Sequence, residues 1–594
     1  MTVIDWLVVA ALCAVSMIIG VWFTRSASRQ GASGYFTGNR TLPWWAIALS
    51  NSATYQSGVG AFVMLVLVFG LSGNWLWWTS WIVWMPLVAV FWAKLWRRMG
   101  VVTTAELITL RYGGRPALVA RKLYALLLFC YAVLIIGYIT GFFAKTIAPL
   151  LPLSEARILL IFGGVTVAYT IFGGLAGVVF TDVLQFGVFL AGNLVFFWIA
   201  ASRHGGWHSI VERIARLRPD ALHAFPPTAD IPLLTVIMLV VQGLFFAGSP
   251  TAGEGMTAQR FMGAVNERHA MGGQLFNAFL SLSLRTIPLI GLGTIALSLF
   301  LTQEQASKLG PLASGMTVLK DPAHTWGTLI KVTRLPAGFV GVLVATEVAA
   351  FMSTLSSLIN WGSSLMVNDF YMPARPQAPR REQVLVSRAA TAALFVFSAV
   401  VSILFVKEMV SWFLFINSAM VVFLLPLCWL RFFWWRFNVW GELAAIVLGL
   451  PLSVFFWFVL DFQHRPLWQG IGALFFLSLI VLLAVALGTR PESDETLRSF
   501  YARCRPPGFW GRFAAQPVPG EPTLGRSIAD CALGVLACLG LVVATNTMFS
   551  GNWLAFGVAL AGSFASGAWL LSRMFAPSVR FKQSELRACR RHDL

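Results

Sequence analysis

The sequence predicts an all-α polytopic membrane protein, and three observations carry that class. Of 594 residues, 58% belong to the AVILMFWYC set. Only 11% are charged, against roughly 25% in a soluble domain. The apolar residues come in long runs, and a crossing needs about 20 of them. Mean hydropathy is +0.76. A soluble multidomain protein, a disordered chain and a fibrous repeat all need more charge than this.

The runs predict about fifteen transmembrane helices, near residues 4–23, 43–70, 74–97, 118–150, 155–173, 175–202, 231–256, 272–301, 336–367, 384–406, 409–431, 440–460, 467–488, 527–546 and 553–574. The first begins after Asp5, with no basic segment before it and no convincing cleavage site, so it reads as a retained span. The longest linkers, 203–230, 302–335 and 489–526, do not read as independent domains. The seven cysteines are scattered singly, with no CxxC pair and no disulfide framework.

Net charge is +19. In a soluble protein this would suggest nucleic acid. Here the cations gather in alternate loops, as the positive-inside rule expects. Loop 24–42 holds Arg25, Arg29 and Arg40 and no acid. Arg97, Arg98, Arg111, Arg115, Arg121 and Lys122 follow the third helix. Arg260 and Arg268, Arg375 to Arg381, Arg431 and Arg436, loop 490–526 and the tail from Arg573 fall on the same side if helices alternate. The arginine-bearing loop 203–218 is the exception. The expected partner is the lipid bilayer of the cell membrane, not nucleic acid. The N-terminus is expected outside and the C-terminus in the cytoplasm.

Two apolar segments are interrupted by small, polar, helix-breaking runs. One is Ser50 to Gly60 and the other Ala247 to Gly255, about 195 residues later. Either alone reads as a kinked span, since Gly and Pro are tolerated in membranes. A pair at matching places points to an inverted-repeat transporter with its site at the breaks.

Only Asp182, Glu254 and Glu347 lie well within apolar runs, and Arg285 is the one cation near a span centre. Such groups usually face a cavity or a partner. If all four ionise, the interior is left at −2. Asp182 reads as a cation ligand or as a helix-capping group. Glu347 opens a stripe with Ala350, Ser353/Thr354, Ser357 and Asn360 on one helix face. Its neutral oxygens suit Na⁺ better than Mg²⁺ or Ca²⁺, which want more carboxylates. Arg285 has two open readings, an ion pair with Glu254 or Glu347, or a contact with an anionic part of a solute.

These residues resemble the sodium:solute symporter family, which includes sodium/glucose, proline and sialic-acid transporters. The likeness rests on Arg40-Thr41-Leu42-Pro43-Trp44-Trp45, on Ile171-Phe172-Gly173-Gly174-Leu175 through Thr181-Asp182 and Gln185, and on Gln259-Arg260. Its most specific part is Ala350 to Asn360, followed by Asn368-Asp369 and Tyr371. It runs from about residue 4 to 480. The resemblance implies a LeuT-like fold with two inverted five-helix repeats. It implies a sodium site from backbone oxygens of Ala53, Gln56 and Ala350 with the hydroxyls of Ser353 and Thr354. As in the sialic-acid relatives, it implies a second sodium at Asp182, Ser353, Ser356 and Ser357.

The departures concern the solute. Where the family's galactose transporter uses a Gln, an Asn and a Lys, an ungapped comparison gives Gly60, Ala247 and Ser281. The carboxylate it uses on the second core helix is missing, because 74–99 contains no acid. The cavity is expected to be lined instead by Tyr55, Gln56, Ser57, Ser249, Thr251, Glu254 and Arg285. Trp75, Trp77, Trp78 and Trp81 read either as an interfacial belt or as an aromatic gate.

The expected organisation is a leading helix and loop (1–42), a first repeat (43–202), an external loop (203–230), a second repeat (231–431), two extra helices (432–488), a cytoplasmic loop (489–526), and two terminal helices with a basic tail (527–594). The expected function is sodium-coupled import of a small polar organic solute by alternating access. A membrane sensor with a transporter-like core and a sodium-independent transporter are the competing readings. An enzyme is disfavoured, for want of a paired-carboxylate or metal-ligand cluster.

Overall fold

The computed structural model describes residues 1–27, 31–55, 59–225, 233–250, 252–313, 315–405, 422–462, 465, 467–514 and 521–575. Helices dominate these residues. A two-stranded parallel sheet, Phe300–Thr302 with Thr317–Leu319, breaks the pattern at one loop. Eleven described helices are long and apolar enough to cross a membrane.

The first is α1 (Val3–Trp22), started by a capping box in which Thr2 and Asp5 satisfy each other's backbone donors. Next come α2 (Trp44–Thr54) and α3 (Val59–Phe69), the two halves of the first interrupted segment. Then follow α4 (Leu71–Met99), α5 (Gly114–Ile147) and α6 (Glu155–Arg203). The second interrupted segment gives α7 (Leu233–Phe246) and α8 (Gly255–Met262). It leads into α9 (Glu267–Leu299), α10 (Phe339–Met366) and α11 (Arg380–Phe405). The remainder is α12 (Leu425–Phe433), α13 (Val439–Val454), α14 (Leu467–Gly488), α15 (Leu524–Phe549) and α16 (Trp553–Phe575).

α6 has 49 residues. At 1.5 Å per residue that is about 74 Å, more than two bilayer cores. A single residue divides it. Gly174 takes φ 55° and ψ −159°, which only glycine adopts readily. A Cβ there would sit 2.7 Å from the Tyr35 carbonyl oxygen. The carbonyls freed beside the break find donors from elsewhere in the chain. Tyr35 Oη lies 3.1 Å from Thr170 O and 3.2 Å from Ile171 O, and Arg388 Nε donates to Ile171 O at 3.2 Å. The two expected spans, 155–173 and 175–202, meet at this corner.

Burial sorts the helices into a centre and a rim. In α10 and its extension, 94% of the apolar window is buried; in α16 the figure is 11%. α10 packs on α1, α5 and α6 and is the central post. α15 and α16 form a hairpin held by Ser563 Oγ donating to Ala537 O at 2.7 Å. α15 touches the bundle at Asn74, whose Nδ2 donates to Asn546 Oδ1 at 3.2 Å.

The loops sort into two groups. Arg40 Nη2 donates to Gly100 O at 2.5 Å, Arg97 Nε to Ala264 O at 2.7 Å, and Arg121 Nε to Asp369 Oδ1 at 2.7 Å. Arg98 pairs with both Glu267 and Glu521. These contacts tie together several loops whose cations suggested one membrane side. In the other group, Arg218 Nη2 and Gln305 Nε2 both donate to Leu67 O, at 3.3 and 3.0 Å, and Arg203 Nη1 donates to Arg334 O at 2.6 Å.

Candidate functional site

Where a helix stops inside a membrane, its last carbonyls and first amides lose their partners. α2 stops at Thr54, α3 starts at Val59, and α10 lies against the interruption. Thr354 Oγ1 of α10 is 2.9 Å from Thr54 O and 3.0 Å from Ala350 O. One hydroxyl hydrogen serves only one of these oxygens at a time, so oxygen lone pairs stay available. Beside it, the Ser353 Oγ is fully buried and has no hydrogen-bond partner among the described residues. Ala53 and Ala350 are also fully buried. Of the expected first sodium set, Ala350, Ser353 and Thr354 lie together on α10, and Thr354 meets the end of α2 at Thr54, the residue after Ala53. Gln56 lies outside the described residues, as do Ser57 and Thr251.

The second expected set also assembles, but with an unexpected member. Asp182 Oδ2 accepts from Ser50 Oγ at 2.5 Å and from Arg260 Nη2 at 3.0 Å. The same Nη2 donates to Ser357 Oγ at 2.5 Å, Arg260 Nε donates to Ser50 Oγ at 2.6 Å, and Nη1 to Met256 O at 3.0 Å. Ser356 Oγ donates to Ser353 O at 3.0 Å. A guanidinium is thus tethered among the oxygens read as a sodium site. What stays open is Asp182 Oδ1, which has no hydrogen-bond partner among the described residues. Sequence spacing treated Arg260 as a loop charge. The signal it offered was its place beside Gln259, whose Nε2 donates to Asn360 Oδ1 of α10 at 2.9 Å.

The second interruption, between α7 and α8, is a tight turn. Ser249 O accepts from the amides of Ala252 and Glu254 at 3.1 and 2.9 Å. A Cβ on Gly253 would fall 1.8 Å from Ala247 O, so no larger residue fits this turn. Ser249 Oγ is buried and unpartnered among the described residues. Glu254 departs from expectation. It meets neither Arg285 nor an open cavity. Arg431 Nη2 donates to Glu254 Oε2 at 2.6 Å, and Tyr124 Oη lies 2.9 Å from both Glu254 oxygens. Arg431 Nη1 also reaches Glu442 Oε1 at 3.3 Å, and all three charged side chains are fully buried. Two acids around one base hold Glu254 in a closed network, so the expected role of Glu254 in lining the cavity is corrected.

The interior charge count changes with it. The expected −2 left out Arg260 and Arg431, which are buried beside Asp182 and Glu254. Buried acids here have bases of their own. Glu347 differs, with Oε1 unpartnered among the described residues.

Arg285 lies near the first interruption, packed on Phe62 of α3 and on Trp81 of α4. A π-turn, Leu280–Leu284, precedes it, and its amide donates five residues back to Leu280 O at 2.9 Å. Such bulges are frequent at functional sites. The guanidinium carbon is 5.5 Å from the ring centroids of both Phe62 and Trp81. Trp81 in turn packs on Tyr55, at 5.1 Å between rings, and Tyr55 Oη is 2.8 Å from Thr257 Oγ1 of α8. Nε, Nη1 and Nη2 of Arg285 are all buried, and none has a hydrogen-bond partner among the described residues. The expected ion pair with Glu254 or Glu347 is absent there. Trp78 is fully buried rather than belted at an interface. Trp75 Nε1 donates to Ala224 O at 2.7 Å. Trp77's side chain lies outside the described residues.

The sequence matches the model of the sodium:solute symporter family over residues 35–449. It is 25% identical to a sodium/glucose cotransporter 4 of Danio rerio, over 81% of this chain and 78% of that protein. It is 26% identical to a sodium/mannose cotransporter of Bos taurus (82% and 86% covered). It is also 26% identical to a sodium/myo-inositol cotransporter 2 of Oryctolagus cuniculus (81% and 76%). The solved structure of a substrate-bound, outward-open, Na⁺-coupled sialic acid symporter superposes with a TM-score of 0.68 at 20% identity. It covers 83% of this chain and 99% of the other. That likeness speaks to fold.

Proposed function

The chain belongs to the sodium:solute symporter family, and from that premise we infer how its geometry couples an ion to a solute. It is a multi-pass membrane protein that imports a small solute with Na⁺ as coupling ion, and it is not an enzyme. The organisation we propose is LeuT-like. Inverted repeats at 43–202 and 231–431 surround the two interruptions, within about fifteen spans. The N-terminus is outside and the C-terminus cytoplasmic, which agrees with the basic loops gathered at one end.

Sodium binds where α2 ends against α10, on Ala53 O, Gln56 O, Ala350 O, Ser353 Oγ and Thr354 Oγ1. Broken-helix carbonyls and hydroxyls replace part of its water shell. A second sodium takes Asp182 Oδ1 with Ser353, Ser356 and Ser357, at the cost of sharing Asp182 with Arg260. The solute sits at the interruptions beside Tyr55, Ser57, Ser249, Thr251 and Arg285. Sodium draws the halves of the first interruption onto α10. Solute binding completes the contact, and the repeats rock to open inward.

The observation that carries this reading is the pairing of Thr354 with Thr54 O beside the unpartnered Ser353 hydroxyl. Purified protein warmed with NaCl should unfold later than in KCl. Ser353→Ala should abolish that difference. An equal response to both salts, with solute uptake into vesicles indifferent to a sodium gradient, would overturn the coupling.

A further inference from the structure

We propose that the solute is a carboxylate, and that Arg285 is the residue that selects it; this rests on the symport reading above. The premise is a charge without a counter-charge. Arg285 is fully buried, and all three of its nitrogens lack hydrogen-bond partners among the described residues. Its described neighbours are aromatic. Phe62 and Trp81 cover the guanidinium, and neither ring supplies a carboxylate. Cation–π contact offsets part of the lost hydration, but it leaves the N–H donors unused. The second core helix has no acid between residues 74 and 99. Glu254 is held by Arg431 and Tyr124, and Asp182 by Arg260 and Ser50.

The position makes this a site rather than a stray ion. Arg285 follows a π-turn and packs on Trp81, which packs on Tyr55 at the interruption, where α8 also arrives through Thr257. The rings offer no acceptor to the guanidinium's N–H fork, and its nitrogens are without hydrogen-bond partners among the described residues. A planar carboxylate matches that fork with two parallel hydrogen bonds. A neutral polyol would leave the positive charge uncompensated in a low-dielectric interior. The rest of the solute would meet Tyr55 and Trp81, whose rings and phenolic oxygen form a mixed polar and aromatic surface that suits a small organic skeleton.

The test uses acids paired with near-isosteric neutral partners. They are D-glucuronate with D-glucose, L-lactate with 1,2-propanediol, and N-acetylneuraminate with its methyl ester. Full-length protein is heated with each compound in NaCl and in KCl, and the midpoint of unfolding is followed. At least one acid should raise the midpoint in NaCl while its partner does not. In Arg285→Gln that acid should bind on the order of 100-fold more weakly, whereas Arg285→Lys should stay within about tenfold. A neutral partner acting as strongly as its acid overturns the proposal. So does an Arg285→Gln protein that binds the acid like wild type, or a panel in which no acid acts. The two readings fail separately. An Arg285-dependent acid effect equal in both salts keeps the carboxylate site and overturns sodium coupling. A sodium effect without acid selectivity does the reverse.

Discussion

Arg285 and Arg431 are both fully buried, yet their surroundings are opposite. Arg431 is enclosed by Glu254, Glu442 and the Tyr124 hydroxyl, so its charge is spent inside the protein. Arg111 sits just beyond. It donates to the carbonyls of Arg431, Trp434, Trp435 and Phe437 and closes the C-terminal end of α12. Arg285 has aromatic rings and no oxygen within hydrogen-bond reach among the described residues. The contrast teaches what a buried cation is for. One paired with acids joins helices together. One with no acid partner is left for an anion that comes and goes.

Removing each charge should break the protein in different ways. The largest effect is expected at the acid-paired site. Arg431→Met strands Glu254 and Glu442 in a dry interior and should cost about 3–5 kcal/mol, read as a lower unfolding midpoint in detergent. Arg285→Met should move stability the other way. Replacing an uncompensated buried charge by an apolar side chain removes its desolvation penalty, so the solute-free protein should melt later. If it melts earlier, Arg285 is structural and the contrast collapses.

Next in size is the ion site. Thr354→Val keeps the shape but removes the hydroxyl shared between Thr54 O and Ala350 O. About tenfold more sodium should then be needed for half-maximal stabilisation, a change of roughly 1.4 kcal/mol. The smallest effect belongs to Ser356→Ala. Its hydroxyl already donates to Ser353 O, so a variant should keep its sodium affinity within a few-fold but lose cooperativity in sodium titrations. Unchanged cooperativity would remove the second sodium.

The contrast was not legible in the sequence, although its setting was. Apolar runs gave the membrane class, and small polar runs gave both helix interruptions. The spacing of Ser353, Thr354 and Ser357 put hydroxyls on one face of α10. Those signals are local, and hydropathy and helical period report them directly. Partners are not local. Glu254 and Arg431 meet across 177 positions and Asp182 and Arg260 across 78, and both arginines follow apolar runs where a loop cation is the natural reading. Asp5 read as the edge of a first span. In the fold its Oδ1 accepts from the Gly341 amide at 2.7 Å, and it joins α1 to the start of α10. Which acid faces which base depends on how helices are arranged around one another, and periodicity along one helix does not encode that.

The corner at Gly174 has a mechanical consequence. A continuous helix transmits torque along its hydrogen-bond ladder, so turning one end turns the other. At Gly174 the ladder is interrupted, and the carbonyls just before it are gripped from outside by Tyr35 and Arg388. The stretch before the corner is therefore anchored to the loop after α1 and to α11. The stretch after it carries Asp182 and is fastened to Arg260. The two lengths of α6 are a pair of rods meeting at a corner, and each is fastened to its own neighbours rather than to the other by a continuous ladder.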